Sequence, residues 1–149
     1  MKRSVLVAAA MLLGIGAVAA QQDLIGQSHA LMKANGKNLG GVLSPMVRGE
    51  KPYDQAAVDA ALTQLDETAK KLPSLYPASV KDVKQTSEYT PSPKIWEDRP
   101  GFDAAIAAFG KSVTEAKGKI KDLDSLKATL PTIGKSCSGC HETFRVKNS

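Results

Sequence analysis

Apolar residues recur with a helical period in four stretches of the chain. The first runs from about Gln22 to Val47, where Leu24, Ile25, Leu31, Met32, Leu39, Val42, Leu43, Met46 and Val47 form one stripe. Gly36, Gly40 and Gly41 weaken that stripe or admit a neighbour closely, and Pro45 is expected to bend or end the helix. Gly49-Glu50-Lys51-Pro52 reads as a turn. Asp54 is the expected N-cap of a second helix, with Val58, Ala61, Leu62, Leu65 and Ala69 inward and its end before Pro73. Residues 73–93 are rich in proline and serine and show no clear period. A loop of that length inside a compact domain is unusual and often functional.

A third helix is expected to begin near Pro93 or Pro100 and to bury Phe102, Ala105, Ile106, Phe109, Val113 and Ala116. The fourth, capped by Asp122 or Asp124, carries the stripe Leu123, Leu126, Leu130, Ile133, Cys137, Cys140, His141 and Phe144. Pro131 lies within it and should kink it. No strand pattern of any length is visible. The short links after the first and third helices favour antiparallel neighbours. The predicted fold is all-α, an up-down-up-down antiparallel four-helix bundle.

The N-terminus reads as an export signal rather than as part of that bundle. Met1-Lys2-Arg3 is a positive start, Val5 to Ile15 an apolar core, and Ala17-Val18-Ala19-Ala20 small-residue cleavage chemistry. The apolar stretch is short for a membrane span of about 20 residues. Residues 1–20 are therefore expected to be a secretory signal peptide, and residues 21–149 the mature domain, in a periplasmic location. Loss of Lys2 and Arg3 lowers the basic count from 20 to 18 against 15 acids, and the formal charge from +5 to +3. Such a mildly basic surface is no nucleic-acid footprint.

Chemistry is concentrated in Cys137-Ser138-Gly139-Cys140-His141, which holds both cysteines of the chain. Cys-x-x-Cys-His is the attachment sequence of c-type haem. The thiols add to the two vinyl groups and the imidazole binds iron from one side. Positions i, i+3 and i+4 of a helix share a face, so all three groups can reach one flat macrocycle. A structural zinc site needs about four ligands, and outside the motif only His29 is a usual nitrogen or sulfur ligand. A thioredoxin-like dithiol wants a βαβ setting that this segment lacks, and a structural disulfide gives no reason for His141. The expected cofactor is one covalent haem c, tethered by Cys137 and Cys140, with His141 as the proximal iron ligand.

The topology then bears on the other side of the iron. The first and last helices run antiparallel, so a residue opposite His141 lies within roughly the first three turns of helix one. Met46 is 14 residues beyond Met32, roughly 21 Å along the axis, too far to serve the same iron. Met32 lies on the stripe at the right height, and a thioether suits haem iron and raises its potential. From the residues alone, Met32 either ligates the iron or covers an open sixth position. His29 sits one turn earlier, on the flank of the stripe.

These motifs resemble the class II cytochromes c, which include cytochrome c′. The shared features are the near-C-terminal Cys137-x-x-Cys140-His141 with Phe144-Arg145, Pro93-Lys94-Ile95-Trp96, and Gly49-x-x-Pro52-Tyr53-Asp54. The resemblance spans essentially residues 21–149. It is strongest to the low-spin cytochrome c-556 type, through Gln21-Gln22-Asp23-Leu24, Leu31-Met32-Lys33 with Asn35-Gly36, and the run Gly49 to Leu62. The resemblance implies that Met32 is the distal iron ligand and that Arg145 and Trp96 are haem contacts. Many cytochromes c′ carry an arginine, near a haem propionate, where Ser28 stands here. Lys33, Lys37, Lys135 and Lys147 read as a solvated face or as a docking rim.

The expected function is that of a single-electron carrier without enzymatic activity, meeting other periplasmic redox proteins in transient contacts. Monomer and homodimer both remain open. The rival reading is a five-coordinate, high-spin cytochrome c′ that binds nitric oxide or other gases, with Met32 as a shield. A haem peroxidase would need His29 as its acid–base group.

Overall fold

The computed structural model describes residues 2–85 and 87–148, with side chains from Ala19 onward. The signal peptide expected over residues 1–20 lies almost wholly outside the residues whose side chains are described. Four helical arms form the bundle. The first comprises α1 (Lys2–Asn38), a π-helical turn (Leu39–Leu43) and α2 (Ser44–Val47). The second is α3 (Gln55–Lys71), the third α5 (Arg99–Lys119) and the fourth α6 (Leu123–Phe144). A one-turn helix, α4 (Lys94–Glu97), precedes α5. Among the described residues no helix is long and apolar enough to cross a membrane.

Pro45 shapes the end of the first arm. It has no N–H to give the Gly41 carbonyl four residues back. The helix widens there into its π-helical turn, and the Ser44 N–H bonds to the Leu39 oxygen, five residues back. The Lys51 ammonium donates to the Gly41 oxygen at 3.0 Å. The arm thus passes Pro45 and stops at Val47, as its stripe predicts. Gly49 then turns the chain at φ +75°, with nothing within 4 Å of where a Cβ would stand. Gly49→Ala should therefore cost about 1 kcal/mol through backbone conformation alone. Thermal melting, a few degrees lower, would register it.

The other boundaries obey local capping. Asp54 accepts the Ala57 N–H at 3.1 Å to start α3. Asp98 accepts the Gly101 N–H at 3.0 Å to start α5, with Pro100 in the first turn. Both proline starts expected for the third helix are thus used, Pro93 for α4 and Pro100 for α5. Asp122 and Ser125 form a reciprocal capping box at the head of α6. Helix α6 continues through Pro131, which is exposed.

The expectation of no strand is corrected. Within the long proline-rich link, β1 (Tyr89–Pro91) pairs antiparallel with β2 (Arg145–Lys147), Tyr89 opposite Lys147 and Pro91 opposite Arg145. Three residues are too few to show a period-two pattern. Pro91, which cannot donate, sits at a strand end where no donor is needed. This small sheet straps the link to the end of α6, aided by the Ser92 N–H on the Phe144 oxygen at 3.0 Å.

Two clusters of buried side chains divide the interior. One joins Leu43 and Met46 to Leu62, Leu65, Val113, Leu126 and Ile133. The other joins Ile25, Leu75, Tyr76, Ile95, Phe102, Ile106 and Phe144. Met46 packs in the first and Met32 against the second, so the two methionines serve opposite ends of the bundle.

Candidate functional site

A cavity of about 380 Å³ lies between α1 and α6, in the size range of cofactor sites. Cys137, Cys140, His141 and Phe144 line it from α6, and His29, Met32, Asn35, Gly36 and Leu39 from the first arm. Ile106, Phe102 and Phe109 of α5 give it an apolar floor, and Tyr89, Thr90 and Pro91 of the strap close one end. The helical spacing of the motif is what gathers both thiols and the imidazole on one wall.

The thiols carry no disulfide, and each is half-buried. Burial pushes both thiols above the ordinary cysteine value, with the Cys137 charge adding to the effect at Cys140. Burial first, and the Arg145 charge second, lower the basicity of His141, favouring the neutral imidazole that binds metals. Burial likewise raises Tyr76, another cavity residue.

These residues suit a haem. The two thiols can take its vinyl groups, the imidazole its iron, and the apolar walls its macrocycle. A Cβ built on Gly36 would meet nothing within 4 Å, so α1 presents a flat, open turn to such a plate. Among the described residues no cluster of three histidines, cysteines or carboxylates could hold an ion.

The remaining candidates separate. Arg145 lines the cavity but has left the helix for β2, where its guanidinium lies 4.2 Å from the centre of the Tyr89 ring. Trp96 does not line the cavity. It stands one ring behind, edge-on to Tyr76 at 6.4 Å, with its indole N–H on the Pro77 oxygen at 3.2 Å. Any haem contact of Trp96 is thus relayed by Tyr76, which spacing could not single out because it falls in the aperiodic link. His29 lines the cavity and is half-buried, as its flank position suggests. Ser28 is buried and spends its hydroxyl proton on the Ile25 oxygen at 2.8 Å. Lys135 stands two residues before Cys137, on the far side of α6, and Lys147 pairs with Glu88 at 3.8 Å.

Comparison with known proteins agrees with this arrangement. The cytochrome C′ family model matches residues 23–145. Cytochrome c-556 of Rhodopseudomonas palustris is 58% identical over 148 residues, 99% of each chain. An NMR-validated structural model of oxidized R. palustris cytochrome c556, also 58% identical, aligns with a TM-score of 0.76 over 86% of this chain and 99% of its own. The cytochrome c′ structure from the same organism aligns with a TM-score of 0.77 at 38% identity, over 85% of this chain and 98% of its own. A match of that breadth, running through both cysteines and His141, places the chain in the cytochrome c′ family, as a monohaem c-type cytochrome with its haem c bound covalently.

Proposed function

We propose that the protein is an exported, low-spin electron carrier whose iron is held by His141 and Met32. The observation that carries the reading is the placement of these two residues: they line one cavity from different helices, α6 and α1, while Met46 is packed in the other core. Cys137 and Cys140 tether the group along α6. His141 and Met32 would hold its iron, and Phe102, Ile106 and Phe109 would keep water from it. When bound, haem iron supplies the Fe(III)/Fe(II) couple. With both His141 and Met32 held by the fold, little would have to rearrange when an electron moves. A soft thioether favours the ferrous state and a higher potential. Other redox proteins are the fitting partners, in small and transient contacts.

Export is supported by the N-terminal pattern of positive Met1-Lys2-Arg3, apolar Val5 to Ile15 and small Ala17 to Ala20.

The optical spectrum of the purified holoprotein tests the ligation. A sharp reduced α-band with the weak far-red ferric band of an iron–thioether bond is expected, on a mature chain beginning at Gln21. A broad high-spin spectrum would assign Met32 to shielding and the sixth position to a gas.

A further inference from the structure

Asn35 lines the cavity one helical turn beyond Met32 and is only 8% exposed. Its Oδ1 accepts a hydrogen bond from Thr68 Oγ1 of α3 at 2.8 Å. Thr68 is fully buried, and its oxygen in turn accepts from Gln64 Nε2 at 3.3 Å. A hydroxyl has one proton to give. Of its two acceptors here, Asn35 is nearer than the Gln64 carbonyl at 3.2 Å. Thr68 thus fixes the oxygen edge of the amide toward α3. The NH₂ edge makes no hydrogen bond among the described residues, the Met32 sulfur included.

An amide donor on the wall of an apolar cavity becomes costly once a haem covers it, unless it meets an acceptor. We propose that, once Met32 is drawn to the haem iron, Asn35 donates this hydrogen bond to its thioether sulfur, which makes Asn35 a positioning residue of the distal site. The inference rests on Met32 ligating the iron. The sulfur is the neighbouring acceptor on the same helix, at the i,i+3 spacing that brings side chains together. A haem propionate is a poor occupant of this corner. It would lie beside fully buried Thr68, while the only arginine or lysine on the cavity wall among the described residues, Arg145, is at the strap end.

The bond draws electron density from sulfur, weakens its support of Fe(III), and so raises the reduction potential. It also holds one sulfur lone pair toward the iron. In holoprotein poised at a fixed ambient potential, Asn35→Leu should raise the Fe(III)/Fe(II) ratio about two- to tenfold, with one net hydrogen bond as the ceiling because the bond persists, weakened, in Fe(III). The far-red ferric band should shift with it. Thr68→Val, which frees the amide without touching α1, should move both readouts the same way by less. The double variant should go no further than Asn35→Leu. If both single variants melt earlier but keep the wild-type ratio and band, Asn35 is only a peg between α1 and α3, and the proposal is overturned. A wild-type spectrum without the iron–thioether band would instead defeat the ligation reading, and this inference with it.

Discussion

The double substitution Cys137→Ala and Cys140→Ala is expected to yield a chain that loses its haem to denaturant or acidified solvent and melts far below the wild type. Both thioether tethers disappear, so haem is retained by non-covalent contacts alone. Once the haem has left, the size of the cavity sets the cost to folding. At about 24 cal/mol per Å³, leaving ~380 Å³ unfilled costs on the order of 9 kcal/mol. That is an upper bound, because part of the space opens to water and the helices can close in. It is still comparable with the 5–15 kcal/mol that holds a typical domain together. The loss would fall on one end of the bundle first. Phe102, Ile106 and Phe144 pack together there and also line the cavity. The cluster around Leu62, Leu65 and Val113 touches the cavity only through Phe109 and half-buried Leu39 and Cys137. Helical circular dichroism through a thermal melt measures the effect. A variant that melts cooperatively at the wild-type temperature without haem would show that the bundle does not depend on its cofactor.

The same division explains what the sequence made legible. The stripes of α3, α5 and α6 pack on several sides, so their inward positions repeat with the helical period. Their starts were readable because aspartates and prolines at helix N-termini act through short-range bonds to the backbone. The strap was not readable. Its strands are three residues each and lie far apart in the chain, with Thr90 opposite Val146. Nothing local marks such a pairing. The π-helical turn was half legible: Pro45 signalled a fault, but its repair needs the Lys51 side chain from beyond the next turn.

In the site, the covalent half was legible because its chemistry fits within five residues. The Met32 half needed the bundle topology, which converts distance along one helix into position on another. Asn35 and Tyr76 escaped for different reasons. Asn35 is a polar residue on an otherwise apolar face, and its meaning depends on Thr68 across the interface. Tyr76 comes just after a 3₁₀ turn, Leu72–Leu75, where no period is defined. Trp96 drew notice through its neighbours in sequence, yet the ring that reaches the cavity is the one it packs against.

Substitution at Met32 separates ligation from packing. Met32 is half-buried against the cluster of Tyr76 and Phe102, so it fills space whatever its sulfur does. Met32→Ala removes both roles and cannot tell them apart. Met32→Leu keeps nearly the same volume, and such a swap usually costs less than about 1.5 kcal/mol. If the sulfur binds iron, Met32→Leu should melt near the wild type while its spectrum changes from low-spin to high-spin. Its far-red band should vanish and its reduction potential fall, and small ligands such as cyanide should bind without first displacing a protein group. Met32→Ala should share that spectrum and add a loss of stability from the contacts it deletes, smaller than the roughly 2–5 kcal/mol of a fully buried methionine. The two variants thus agree on colour and differ on melting. A low-spin spectrum that survives in Met32→Leu would remove Met32 from the iron. His29, on the same helix and the same cavity wall, would then be the residue to replace next.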